Sequence, residues 1–180
     1  MSDVILETHR LRLRRLSPDD AAFILGLVNE PSFIENIGDR NVRIEEDAVR
    51  YIQNGPMASY ERYGYGLYKV ELRQTSTPIG ICGPLKRETL EYPDIGFAFL
   101  PLFWGQGYAL ECSAAVMNYS RDVLGLSDIA AITTPTNEPS IRLLRKLGFM
   151  FQSMKSLTKN EPPVKLFLSK PEGKDLNKKS

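Results

Sequence analysis

The chain has 180 residues, of which 23 are lysine or arginine and 22 are aspartate or glutamate, so its formal net charge is +1 at pH 7. Such a balance gives no overall field that would favour nucleic acid or an anionic membrane as a partner. No apolar run approaches the roughly 20 residues of a membrane-spanning helix, and the N-terminus lacks the basic and apolar regions of a secretory signal. We therefore expect a soluble cytoplasmic protein.

One domain is the expected organisation, because a chain of this length buries roughly 70% of its unfolded surface without a disulfide or metal. Residues 1–170 contain no linker, whereas residues 171–180 are rich in lysine and predict a mobile tail. Cys82 and Cys112 lack the spacing of metal ligands or of a redox pair, so we expect buried thiols. His9 is the only histidine, and we predict no metal site.

The first third of the chain predicts one strand and two helices. Residues 11–16 alternate apolar and basic side chains, as in a strand with one solvated face. Ser17 and Asp20 then form the N-terminal capping signature of a helix, which should be interrupted at Pro31. Residues 44–52 predict a second helix that ends at the Gly-Pro pair just after it.

The rest of the chain predicts an alternation of strands and helices. Short β-rich runs between turn residues indicate the strands, and apolar residues at helical spacing indicate the helices. The predicted strands are residues 67–72, 79–85, 91–100, 129–133, 149–154 and 164–169, and the predicted helices are residues 107–124 and 137–147.

The most informative stretch is Phe-Trp-Gly-Gln-Gly-Tyr-Ala at residues 103–109. It lies between a buried strand that ends at Pro101 and an amphipathic helix. In this arrangement free backbone N–H groups and the positive end of the helix dipole converge on an anion. Gly105 and Gly107 allow the backbone to approach phosphate closely and to adopt a positive φ. The stretch therefore predicts a phosphate-binding loop.

The order of motifs resembles that of a known superfamily. The loop is followed by Asn137, two residues and Ser140, and then by Leu-Leu-Arg-Lys-Leu-Gly-Phe at residues 143–149. Together these motifs resemble the GNAT superfamily of N-acetyltransferases. The sequence Glu-Thr-x-Arg-Leu-x-Leu-Arg at residues 7–14 is similar to the opening strand of the ribosomal-protein (RimJ/RimL-like) branch. The resemblance covers nearly the whole chain.

This resemblance implies an α/β (α+β) GNAT fold, with a mixed, mostly antiparallel sheet of six to seven strands. About four helices should flank the sheet, which should splay at the strand that binds coenzyme A (CoA). Acetyl-CoA is implied as the co-substrate. The implied CoA-binding residues are Phe99, Leu100, Trp104, Gly105, Gln106, Gly107, Tyr108, Ala109 and Asn137. Trp104 stands where the superfamily has Gln or Arg; because such loops bind mainly through backbone N–H groups, we expect the site to remain intact.

The resemblance also supplies candidate catalytic residues. Asp94 lies where many members carry a catalytic glutamate, and it is the candidate base, with Glu91 as its substitute. Its alternative interpretation is a solvated strand residue or the partner of an arginine. Many members place a tyrosine acid at the position of Leu144, which cannot donate a proton. In the ribosomal-protein branch a serine in the Asn-x-x-Ser element is thought to serve instead, and Ser140 matches it; helix capping is the alternative role.

The acceptor implied by the family is a primary amine. An α-amine with a pKa near 7.7 to 8.0 needs only about 1 kcal/mol to be neutral at pH 7, whereas a lysine near 10.4 needs about 4 to 5 kcal/mol. A site with one uncertain carboxylate suits the α-amine better. We therefore expect a protein N-terminus or a small-molecule amine as acceptor, and a monomer or a homodimer.

Aromatic residues mark the regions that border the acceptor cleft in this family. Four tyrosines lie within residues 60–68, and Phe33 precedes a predicted loop at residues 35–41. Most aromatic clusters are core, and that interpretation remains open for these. Met150 and Phe151 are expected in the core rather than at the cofactor.

Two other functional classes compete with the enzyme. A catalytically silent acyl-CoA-binding module would keep the loop but lack the acid and base. A Walker or Rossmann nucleotide-binding enzyme fails on its residues, because no Gly-Lys-Ser/Thr follows the loop and the third glycine and the ribose-binding acid are not in place.

Overall fold

An eight-stranded sheet forms the centre of the computed structural model, which describes residues 3–170. Its strands are β1 (Val4–Glu7), β2 (Leu11–Arg15), β3 (Tyr68–Leu72), β4 (Pro78–Leu85), β5 (Asp94–Phe99), β6 (Ile129–Thr133), β7 (Met150–Lys155) and β8 (Val164–Ser169). They lie in the order β1-β2-β3-β4-β5-β6-β8-β7. The predicted mixed, mostly antiparallel sheet is confirmed. It has more than the expected six to seven strands because β1 pairs with β2 as an additional edge strand.

The sheet splays between β5 and β6. These two strands are parallel and share a single pairing, that of Asp94 with Ala130. By contrast, β5 pairs with β4 along its whole length, from Asp94 to Phe99. Beyond Asp94 the two parallel strands therefore separate, as expected for this fold, and leave one edge of β5 without a neighbouring strand.

Six α-helices, rather than about four, surround the sheet in the described residues: α1 (Ala21–Val28), α2 (Pro31–Asn36), α3 (Glu45–Ile52), α4 (Ala58–Tyr63), α5 (Tyr108–Asp122) and α6 (Glu138–Lys146). Pro31 starts α2, since proline is tolerated in the first turn of a helix. The predicted stop after α3 is wrong. A π-helical turn, Gln53–Met57, contains Pro56 and joins α3 to α4, and the helical segment ends at Gly64 with φ +81°.

Helices pack on both faces of the sheet and bury two apolar clusters. One cluster joins α5 and α6 to the strands and contains Cys82 and Cys112, both of which are free and fully buried as expected. The other joins α1, α2 and α3 to residues such as Ile81. The two clusters cover the sheet from both sides, and the first contains residues of both splayed strands.

Met150 and Phe151 are not in the core, contrary to prediction. They are 58% and 53% exposed, respectively. The reason is that β7 lies at the edge of the sheet, outside β8. The apolar pattern of this strand did not reveal its edge position. The tail predicted at residues 171–180 lies outside the described residues.

Four charged side chains form a buried cluster beside β2 and β3. Asp20 Oδ1 accepts hydrogen bonds from Arg14 Nη2 and Lys69 Nζ, both at 2.9 Å. Lys69 Nζ also lies 3.1 Å from Glu71 Oε2, and Arg14 Nε lies 3.4 Å from Glu71 Oε1. Asp20, Lys69 and Glu71 are each about 5 to 6% exposed. Two positive and two negative charges thus compensate one another, with Arg14 alone partly exposed at 23%.

Removing one member should leave an uncompensated buried charge. We expect Asp20→Ala to lower the free energy of unfolding by about 3–5 kcal/mol, measured by urea unfolding. Asp19→Ala, at the exposed neighbour, is the control and should change stability by less than about 0.5 kcal/mol. Equal stability of the two variants would show that the charge of Asp20 does not stabilise the cluster.

The same comparison has a defined pH dependence. Burial opposes ionisation of Asp20, but the Lys69 hydrogen bond, the Ser17 N–H and the nearby cations outweigh it and lower the pKa of this carboxyl. Its stabilising contribution is therefore complete above the unfolded-state pKa of about 3.9 and is lost as the pH falls through the lower folded-state value. The difference in free energy of unfolding between wild type and Asp20→Ala should therefore become smaller below that pH.

Candidate active site

One cavity of about 1360 Å³ follows the splay and extends from the glycine loop to α2. It gathers most of the residues that the sequence indicated. Its walls include Asp94, Phe99, Trp104, Gly105, Gly107, Tyr108, Ala109, Asn137 and Ser140. Leu100 and Gln106 lie outside these walls. The Leu100 N–H donates to the Ile79 carbonyl at 2.9 Å, and the Gln106 side chain donates to the Leu102 carbonyl at 3.1 Å.

The glycine loop has the backbone geometry that its sequence predicted. Gly105 and Gly107 adopt φ +70° and +81°, in the left-handed region that favours glycine. Gly107 is also the N-cap of α5, a helix of 15 residues. The N–H groups in the first turn of a helix have no intrahelical acceptor. The loop and helix start therefore present free donors and a positive dipole end at one end of the cavity.

The free edge of β5 supplies further polar groups. Because the Leu100 N–H bonds to β4, the alternation of an antiparallel ladder directs the main-chain groups of Ile95, Phe97 and Phe99 to the opposite edge. The Phe99 carbonyl accepts a hydrogen bond from Trp104 Nε1 at 2.8 Å. Phe97 is thus the residue whose main chain faces the gap beyond the Asp94 pairing. Phe97 was not singled out from the sequence, although strand alternation could have indicated its position.

Asn137 and Ser140 lie at the start of α6, but only Asn137 caps the helix with its side chain. Asn137 is the N-cap, and its Oδ1 accepts from the Ser140 N–H at 3.3 Å. The capping role considered for Ser140 therefore belongs to Asn137. Within residues 3–170 the Ser140 hydroxyl has no hydrogen-bond partner, and the residue lines the cavity. Its hydroxyl is available to a bound molecule.

Asp94 lies deep in the cavity wall, 1% exposed. Burial raises the pKa of its carboxyl, although the charge and hydrogen bonds of Arg87 oppose the shift. Arg87 Nε lies 3.1 Å from both carboxylate oxygens. The arginine partner considered as the alternative interpretation of Asp94 is therefore present. Glu91, the substitute, is exposed and lies outside the cavity walls.

The far part of the cavity is bounded by the segment around α2. Phe33, Glu35 and Arg40 line it, as does Arg87. The tyrosines at residues 60, 65 and 68 are buried in the core instead. The early loop region thus borders the cavity, whereas the tyrosines stabilise the fold.

Residues 3–170 contain no group of three or more His, Cys, Asp or Glu side chains that could hold a metal ion. Among the helices of this same part of the chain, none is long and apolar enough to cross a membrane.

Comparison with known families decides what this architecture is. The family described as the Acetyltransferase (GNAT) domain matches residues 10–150. The chain belongs to this family. This GNAT acetyltransferase is 34% identical over 146 residues to the uncharacterised N-acetyltransferase YoaA of Bacillus subtilis. The aligned residues cover 81% of this chain and 82% of the relative.

Solved structures share the fold of this GNAT protein. A ribosomal-protein-S5-alanine acetyltransferase from Vibrio fischeri superposes with a TM-score of 0.76 at 17% identity, covering 93% of this chain and 97% of the other. RimL, a ribosomal L7/L12 α-N-protein acetyltransferase in complex with coenzyme A, superposes with a TM-score of 0.77 at 17% identity and the same coverage. The GNAT fold uses acetyl-CoA, and the loop, helix start and free strand edge described above fit such a ligand.

We expect the fluorescence of Trp104 to report binding of the donor. It is the only tryptophan in the chain, lines the cavity and is 54% exposed. Titration with CoA should therefore give a saturable change in tryptophan emission, because the ligand displaces water from the indole. Adenosine at equal absorbance corrects for light loss. Unchanged emission in a sample where calorimetry records binding would contradict this placement of Trp104.

Proposed function

We propose that this GNAT protein transfers the acetyl group of acetyl-CoA to a primary amine, namely a protein N-terminal α-amine or a small-molecule amine, by direct attack in a ternary complex. The observation that carries the proposal is the single cavity that joins the glycine loop to the α2 region through the splay. One continuous space allows donor and acceptor to be bound at the same time.

The donor would be held by the chain in two parts. The free N–H groups at the start of α5, together with the loop at Gly105, suit the diphosphate. The main chain of Phe97 and the side-chain amide of Asn137 lie on opposite walls of the splay and suit the amide groups of the pantetheine arm. We assign this contact to Phe97 and not to Leu100, because the Leu100 N–H is already bonded to the Ile79 carbonyl.

Acetyl-CoA supplies an acetyl thioester, and the chain must then manage two protons. Ser140 is proposed as the proton donor to the departing sulfur, because its free hydroxyl lines the cavity at the positive end of α6. Asp94 is proposed as the proton acceptor for the amine, since its pKa is raised by burial. The N–C bond forms as the C–S bond breaks; solvent then returns a proton to the Ser140 hydroxyl and takes the amine proton from Asp94, so that CoA leaves as the thiol. Arg87, bonded to both carboxylate oxygens, would hold this group in one orientation.

The acceptor assignment depends on the cost of deprotonation. The site offers a single carboxylate as base, even though burial raises its pKa. The acceptor that is easier to deprotonate is therefore favoured: an α-amine needs about 1 kcal/mol to lose its proton at pH 7, against about 4 to 5 kcal/mol for lysine. The α-amine acceptor named for RimL agrees with this order.

A specific observation supports the second candidate, a silent acyl-CoA-binding module. Leu144, at the position where many members have a tyrosine acid, is buried in the core, and Asp94 is engaged by Arg87. Such a module would bind CoA without transferring the acetyl group.

An acceptor panel separates these candidates. Protein and acetyl-CoA are incubated with peptides bearing a free N-terminus, with N-blocked peptides bearing an internal lysine, and with small amines, while release of CoA thiol is followed. We expect acceptor-dependent release with α-amines or small amines. Efficient turnover of lysine peptides alone would overturn the acceptor order, and CoA binding with no acceptor-dependent release would favour the silent module.

The role of Ser140 can be tested by removing its hydroxyl. Ser140→Ala should lower kcat by about 10² to 10⁴ while leaving CoA affinity nearly unchanged, because proton donation is lost and the Asn137 cap is retained. Thr136→Ala removes another hydroxyl residue of the same cavity wall and is the control. Weaker CoA binding with normal kcat would instead assign Ser140 to donor binding.

A further inference from the structure

The turn between β1 and β2 is attached to the first turn of α5. Glu111 Oε1 accepts hydrogen bonds from Thr8 Oγ1 at 2.6 Å and from the Arg10 N–H at 3.0 Å. Glu111 Oε2 accepts from Arg10 Nε at 2.7 Å. Both carboxylate oxygens are therefore used to hold Arg10. We call Thr8, Arg10 and Glu111 the clasp.

The other end of Arg10 covers the outside of the glycine loop. Its Nη1 donates to the Gln106 carbonyl at 2.9 Å, and its Cζ lies 4.3 Å from the centre of the Tyr108 ring. Its Nη2 would lie 3.3 Å from a Cβ atom added at Gly107. Arg10 itself does not line the cavity, whereas Gly107 and Tyr108 do. The guanidinium therefore contacts the loop without lining the cavity.

Holding the Gln106 carbonyl also determines the direction of a donor. In a trans peptide the C=O of one residue and the N–H of the next point in opposite directions. With the Gln106 carbonyl directed at Arg10, the Gly107 N–H points away from Arg10. Because Gly107 has no Cβ atom, this peptide meets less steric resistance to rotation than one followed by another residue. The contact with Arg10 opposes that rotation.

We propose that the clasp is a positioning device for the donor site: Arg10, held by Glu111 and Thr8, fixes the Gln106–Gly107 peptide so that its N–H is presented to the diphosphate of CoA. The inference rests on the proposed function. Arg10 acts through the loop and does not touch the ligand.

The charge of Glu111 supports this arrangement. Burial opposes its ionisation, but the Thr8 hydroxyl, the Arg10 N–H and the Arg10 guanidinium outweigh it and lower the pKa of the Glu111 carboxyl. The clasp thus remains a charged pair at neutral pH. Without Arg10, a carboxylate in the first turn of α5 would face the loop unneutralised and would oppose a diphosphate there.

The test compares ligands with and without the diphosphate. Dissociation constants for CoA and for pantetheine are measured by calorimetry, with displacement titration for the weaker ligand. Arg10→Ala should weaken CoA binding about 10- to 100-fold, as expected for loss of a hydrogen-bonded charged group. Pantetheine binding should change by less than about twofold, because this ligand has no diphosphate. Equal weakening of CoA and pantetheine by a folded Arg10→Ala protein would overturn the proposal.

Matched variants keep the test decisive. Arg12 forms an ion pair with Glu7 at 2.7 Å and does not contact the loop, so Arg12→Ala is the control and should leave both constants unchanged. Arg10→Lys should bind CoA with intermediate affinity, because an ammonium can reach one partner but cannot span both. Glu111→Gln should weaken CoA selectively even if Arg10→Ala fails to fold.

The failure of this inference differs from that of the proposed function. If the wild type binds CoA no tighter than pantetheine, the phosphate loop assignment fails. If the wild type prefers CoA and Arg10→Ala or Glu111→Gln keeps that preference, the clasp has no positioning role and the proposed function stands.

Discussion

The single pairing of Asp94 with Ala130 is the constraint on which the site depends. At that pairing β5 and β6 belong to one continuous sheet. Beyond it the two strands separate, and the chain continues from β5 into α5 and from β6 into α6. Because one apolar cluster contains residues of both strands, such as Ile95 and Ile129, the separation is maintained without a ligand. The free edge of β5 faces the cavity, where its main-chain groups can bond to solvent or to a ligand. A bound extended molecule can supply that partner.

The parts of the fold with strong local signals could be predicted from the sequence. The strand at residues 129–133, the glycine loop and the helix after it agree with the structure because their patterning and their backbone requirements coincide. Pro56 misled the prediction, since a π-helical turn accommodates it where an α-helix would break. Met150 and Phe151 misled it too, because burial depends on the order of strands, which no local pattern contains.

The candidate site could be predicted only as far as its motifs extend. Gly105, Gly107, Asn137 and Ser140 lie within motifs, and the structure places all four in one cavity. Arg87 has no motif and comes from the connection between β4 and β5, so its pairing with Asp94 needs three-dimensional information. Arg10 lies about a hundred positions from the loop it contacts, and a sequence pattern alone gave no reason for the two to meet.

The buried charges beside β2 and β3 have a consequence for the pairing of these strands. Arg14 lies opposite Lys69 in the ladder, and Glu71 shares a face with Lys69 because side chains alternate along a strand. A slip of β3 by one residue would move both charges to the opposite face and into the apolar cluster under α5, without their partners. An unpaired buried charge is strongly destabilising. The cluster therefore favours the observed pairing of β2 with β3 over registers shifted by one residue.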